Sequence, residues 1–235
     1  MIGNGKYLPR KTTYSVYPQY VLNALYSVLL CSISQVCISY LAAGNVSRLK
    51  ERCILKIRRS TESDRIAITG IHTSAFGQEQ GQEIVELVNG LLNDDTAKPL
   101  LSLVAETDGM TVGHILFTVA RLQCEDQEIS ARILAPLAVS SPFQGEGIVG
   151  ELIREGLKQL AESGVDLVFV LGHPGYYPKF GFHAAGVLGF EAPYPIPSEH
   201  ADAWMVQELK VGVIGSIEGR VQCSGALNQP QHWRE

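Results

Sequence analysis

Apolar positions recur along the chain with distinct periods, and each period predicts an element. Residues 53–59 alternate apolar and polar side chains, the pattern of a strand with one buried face. Behind a Thr61/Asp64 pair at N-cap spacing, Ile68, Ile71 and Ala75 predict a helix that Gly77 breaks. Ile84, Leu87, Val88 and Leu91 predict a second helix over 83–93. Strands over 100–106 and 111–121 flank the hairpin signal Thr107-Asp108-Gly109, and a further strand covers 130–140. Between 147 and 163, Ile148, Val149, Leu152, Ile153, Leu157 and Leu160 line one helix face, and Gly164 stands where a C-cap belongs. Residues 166–171 are an apolar run, the mark of a strand buried on both faces. An aromatic turn over 176–182 and a final strand near 204–209 complete the order β-α-α-β-β-β-α-β-α-β, an α/β domain with a mixed sheet.

The first 52 residues stand apart as an apolar extension. From Thr12 to Ser47 no residue is charged, and the run over 21–43 is long enough to span a bilayer, for which about 20 apolar residues suffice. Asn23, Ser27, Ser32, Ser34, Gln35 and Ser39 dilute it. Three readings stay open: a weak signal-anchor, a helix folded onto the domain, or an extension from a non-native start. Membrane association is expected only through residues 20–43. Basic residues gather on both flanks, more of them after the run, so the positive-inside rule leaves the following domain cytoplasmic.

Charge and cysteine usage narrow the partners. All 24 acidic residues but only 14 of the 19 basic ones lie beyond residue 50. A domain that acidic is a poor nucleic-acid binder, because counterion release needs clustered Lys and Arg. Cysteines 31, 37, 53, 124 and 223 have no metal-binding spacing and read as reduced cytosolic thiols.

The informative stretch runs strand, then Gln144-Gly145-Glu146-Gly147-Ile148-Val149-Gly150, then helix. Glycines let a ligand approach the backbone, and a helix start offers unpaired N–H groups at its positive end, so this is an anion site suited to phosphate. Gly145, Gly147 and Gly150 also match the dinucleotide fingerprint, but the strand that should end in an acid ends in Gly172-His173. No Gly-Lys-Ser/Thr follows, which excludes a P-loop.

With the strand Ala135-Pro136-Leu137-Ala138-Val139 before it, this loop resembles the acetyl-CoA signature of the GNAT N-acetyltransferase superfamily, Gln/Arg-x-x-Gly-x-Gly/Ala. Residues 167–174 and Tyr176-Tyr177-Pro178-Lys179-Phe180-Gly181-Phe182 resemble its YhbS-like bacterial branch. The resemblance covers about 54–212, so the expected organisation is an extension (1–52), an acyltransferase domain (53–212) and a C-terminal tail (213–235). It implies a GNAT-like, mostly antiparallel mixed sheet flanked by helices. It departs at the last motif position, where Val149 replaces Gly or Ala and its side chain faces either the ligand or the core.

What the resemblance implies is direct transfer of an acetyl group from acetyl-CoA to a primary amine of a small molecule or peptide. Leu137, Ala138 and Val139 are then expected to meet the pantetheine and acetyl oxygen, and Gln144, Gly145, Glu146, Gly147, Ile148, Val149 and Gly150 the pyrophosphate. Tyr177, four residues before Gly181, matches the family tyrosine that protonates the leaving sulfur. His173, at the C-terminal end of the buried strand, is a candidate to help deprotonate the amine. His72, Glu79 and Glu83 read as exposed helix or loop residues, and Glu106 as a solvated turn carboxylate. No metal is expected, a homodimer is left open because the sequence does not fix the oligomeric state, and the alternative function is a non-catalytic acyl-CoA-binding or interaction module.

Overall fold

The computed structural model describes residues 55–123 and 129–233. The apolar run over 21–43, with the membrane and start-site readings attached to it, lies outside the described residues. Among the described residues no helix is long and apolar enough to cross a membrane.

The strands are β1 (Lys56–Arg59), β2 (Leu101–Thr107), β3 (Met110–Leu122), β4 (Ala131–Val139), β5 (Leu167–Leu171), β6 (His183–Ala184), β7 (Phe190–Glu191), β8 (Trp204–Glu208) and β9 (Gly219–Gln222). The helices are α1 (Arg65–Asn93) and α2 (Ile148–Glu162). The sheet runs β1-β2-β3-β4-β5-β8-β6, antiparallel throughout except for the parallel β4–β5 pair. This is the mixed, mostly antiparallel sheet flanked by helices that the sequence implied.

Each helix covers one face. Leu152, Ile153 and Leu157 of α2 pack with Leu103, Ile115, Phe117, Leu134 and Val170. On the opposite face Ile68, Ile71, Ile84 and Val88 of α1 pack with Val104 and Ala138. Helix α1 is two arms joined at Gly77, whose φ of 78° leaves the helical region. The arms fold tightly there, and a Cβ at Gly81 would lie 2.9 Å from the Thr73 Cα.

The start of α1 is fixed to the sheet by charge. Arg58 donates to both Asp64 carboxylate oxygens at 2.8 Å and to Glu106 at 2.9 Å, while the Thr61 amide donates to Asp64 at 2.7 Å. Glu106 is therefore a half-buried ion-pair partner rather than a solvated turn carboxylate.

Two stretches differ from the sequence expectation. No α-helix lies between β5 and β8; Tyr177–Phe180, Gly186–Leu188 and Ser198–Ala203 form short 3-10 turns instead. Gly181 and Gly189, at φ of 89° and 86°, and the closely spaced Pro193, Pro195 and Pro197 interrupt any longer helix. The second stretch is the segment set apart as a tail. β3 runs past the end of its pairing with β4, and that free edge takes up β9 through Arg121↔Gln222 and Leu122↔Val221. Leu227 and Trp233 then bury themselves against Leu91, Phe169 and Trp204.

Candidate active site

The site begins where β4 and β5 part. They pair only at Ala131↔Leu167, Arg132↔Val168 and Ile133↔Phe169. Opposite β3, the register slips between Ile115 and Phe117, so Ala135 and Pro136 together face Leu116. This is a β-bulge, which bends its strand away from the neighbour. From Leu134 to Val139 the β4 edge turned away from β3 has no strand partner among the described residues.

A cleft of roughly 860 Å3 of empty space, open to solvent, fills the gap. Leu134, Leu137, Val149, Val170 and Tyr177 wall it on the α2 side. Ile84 and Leu87 of α1, with Leu227, His232 and Trp233, wall it on the other. The cleft is thus lined from both helical layers. No carboxylate lines it among the described residues.

The glycine loop lies at the α2 end of this cleft. Gly145, Glu146 and Gly147 are exposed, Ile148 and Gly150 are buried, and Gly145 and Gly147 have φ of 82° and 84°. A Cβ at either glycine would meet nothing within 4 Å, so the surface beside them is free. The Glu151 amide makes the first bond back into the loop, to the Gly147 carbonyl at 3.2 Å. The amides before it are the unpaired donors that every helix start presents. Gln144 turns inward and donates through Nε2 to the Val139 carbonyl at 3.0 Å, tying the loop to the end of β4. Val149 packs against the core cluster of α2 and forms part of the cleft wall.

Tyr177 is brought into the cleft. Its ring is 3% exposed, held edge-on by Tyr176 and Phe182 at 5.6 and 5.5 Å. Burial, reinforced by Tyr176, pushes its phenol above the usual tyrosine range, so the group stays protonated. His173 is not among the residues lining the cleft. Its Nδ1 accepts from the Gly175 amide at 2.9 Å, which commits that nitrogen to the turn after β5.

Two features escape the sequence reading. His72, expected on the surface, is fully buried, and its Nε2 lies 2.9 Å from Nδ1 of His114, whose Nε2 in turn meets the Ser102 hydroxyl at 3.0 Å. Desolvation pushes His114 down to about 3 and His72 well below its ordinary value, so the pair is neutral. The other is the C-terminal wall, His232 and Trp233. The only signal for it in the sequence is a tryptophan, one of two in the chain, in an otherwise polar end.

Comparison with known proteins agrees with this architecture. The family model for the acetyltransferase (GNAT) domain matches residues 56–185. The chain is 44% identical over 164 residues to the uncharacterized N-acetyltransferase YjhQ of Escherichia coli strain K12, covering 69% of this chain and 88% of that one. It is 32% identical over 130 residues to the uncharacterized N-acetyltransferase YhbS of the same organism, covering 55% and 75%. The structure of the Escherichia coli GNAT family N-acetyltransferase YhbS in complex with CoA superposes with a TM-score of 0.68 at 28% identity, covering 78% of this chain and 97% of that one. A GNAT family acetyltransferase from Brucella melitensis in complex with acetyl-CoA gives a TM-score of 0.58 at 30% identity, covering 74% and 98%. With its divided sheet, its glycine loop and a family match over more than half its length, the chain belongs to the GNAT acetyltransferase family.

Proposed function

We propose that the protein transfers an acetyl group directly from acetyl-CoA to a primary amine of a small molecule or peptide. The observation that carries this reading is the gap between β4 and β5, which is lined from both helical layers and reaches Val149 at the end of a glycine loop with open space beside it. An acyl donor and an acceptor entering from opposite sides meet there without a covalent enzyme intermediate. The two relatives solved with CoA and acetyl-CoA support the same donor for this chain.

The residues fit such a donor. The amides from Gly145 to Gly150 would meet a diphosphate at the positive end of α2, with open space beside Gly145 and Gly147 and the Arg154 guanidinium beside Gly150. The free edge of β4 through Leu137, Ala138 and Val139 offers backbone groups to the pantetheine amides and the acetyl oxygen. Acetyl-CoA supplies the thioester carbon that the amine attacks. Tyr177, kept protonated by its burial, donates toward the departing sulfur and recovers a proton as the newly acylated nitrogen loses its own. Anchoring at both ends makes the attack effectively intramolecular.

Calorimetric titration with acetyl-CoA tests the donor, and release of free thiol over an amine panel tests the transfer. Tyr177→Phe is expected to lower kcat by about 10²-fold or more with acetyl-CoA affinity kept within about threefold. Unchanged turnover in that variant removes Tyr177 from the mechanism. Tight binding with no thiol release over the panel favours the acyl-CoA-binding module instead.

A further inference from the structure

The side of the cleft across from the glycine loop is built by α1 and the C-terminal segment, and its chemistry is unusual for an amine site. A cationic amine held as such calls for a carboxylate in contact, yet Ile84, Leu87, Leu227 and Trp233 are apolar and no carboxylate lines the cleft among the described residues. Its ionisable groups are Tyr176 and Tyr177 on the α2 side and His232 on this side. His232 is half-buried beside Trp233, and its imidazole makes no hydrogen bond to the described residues. The turn Pro230–His232 and the Trp233 indole, which donates to the Leu227 carbonyl at 3.0 Å, fix it in place.

We infer that this half of the cleft receives a primary amine with an apolar tail and that His232 takes the proton which frees the amine for attack. The inference rests on the acetyl-transfer reading and assigns the acceptor class and the base within it. Burial lowers the His232 pKa below its ordinary value, against the opposing pull of Glu83 from α1, so the imidazole is neutral near pH 7 and able to accept. The same apolar walls disfavour an ammonium ion and lower the barrier to removing its proton.

The protons balance as follows. The entering ammonium gives one proton to His232, which passes it to solvent. The free amine forms the C–N bond as the C–S bond breaks. The second nitrogen proton replaces the one that Tyr177 gives to sulfur, leaving amide and thiol. The charged group bearing on His232 is Glu83 from α1, and the other titratable groups of the cleft are Tyr176 and Tyr177 on its far side.

The test uses the full chain, acetyl-CoA and four amines: hexylamine, 2-phenylethylamine, cadaverine and spermidine. The two apolar amines are expected to show kcat/KM at least tenfold above the two polycations. His232→Asn is expected to lower kcat with hexylamine about 10²-fold and to erase the acid-side loss of rate expected of the parent protein, with acetyl-CoA affinity and Tm retained. Added imidazole should restore part of the rate to His232→Gly. Preference for the polycations, no turnover of any of the four amines despite acetyl-CoA binding, or an acidic limb that survives His232→Asn overturns the inference. Failure to bind acetyl-CoA at all overturns the acetyl-transfer reading itself.

Discussion

Single side chains in this fold carry protonation states set by where they are buried. His72 and His114 form a neutral pair inside the α1 layer, with His72 Nδ1 lacking a hydrogen-bond partner. Both are shifted below the value of about 6.5 that an unfolded histidine keeps. Below that pH the unfolded chain binds protons that the folded one refuses, so stability falls as pH falls, by about 1.4 kcal/mol per pH unit for each histidine. The loss continues toward about pH 3 for His114. Asp64, held low by Arg58, acts in a lower window, because an unfolded carboxylate protonates only near pH 4. Urea unfolding between pH 7 and 4.5 should therefore show a steep acid limb that the double substitution His72→Phe, His114→Leu flattens; a limb unchanged in that variant would assign it elsewhere. His72 stands at helical spacing from the buried Ile68, Ala75 and Phe76, so its period already lay on the core face, but its polar partner is 42 residues away and had no mark in the sequence. Tyr177 was legible because a local motif surrounds it, and His232 was not, because nothing near it in sequence announces a cleft.

At the level of elements, the local periods hold well and the connections hold less well. Helix α2 and strands β2 to β5 follow their apolar spacing because each packs a face against a partner of matching period. The helix expected between β5 and β8 is absent because proline and glycine, rather than apolar period, govern that stretch. Where α2 crosses β3 the fit is close: a Cβ at Gly156 would overlap the ring of Phe117, itself fully buried. Gly156→Val should cost about 1–3 kcal/mol from overpacking, read as a lower denaturation midpoint at unchanged m-value. A variant as stable as the parent would mean that the helix shifts freely on the sheet. The bulge at Ala135 and Pro136 was not legible as such, although a proline inside an apolar strand marks a place where the ladder is interrupted.

Across the whole molecule, the C-terminal segment is part of the core rather than an appendage. Trp233 packs at 5.7 Å on Trp204, which stacks on Phe169 at 5.2 Å, so the last described turn joins β5 and β8 to α1. Trp233→Ala is expected to destabilise by about 3–5 kcal/mol and to open the acceptor half of the cleft, detectable as a large drop in Tm. The family resemblance fades before this segment, which is why the sequence alone set it aside. The parted strands have a further consequence. Only three residue pairs join the β1–β4 half of the sheet to the β5–β8–β6 half. A donor lying along both free edges would act as a splint across a gap where the strand ladder itself is short, adding to the helical and C-terminal packing that already spans it. Saturation at a hundred times Kd should add about 2.7 kcal/mol of stability. Amide exchange at Val170 and Leu171 should slow more than exchange at Leu103 and Val104, so that cofactor binding stiffens the protein where its strand ladder is shortest.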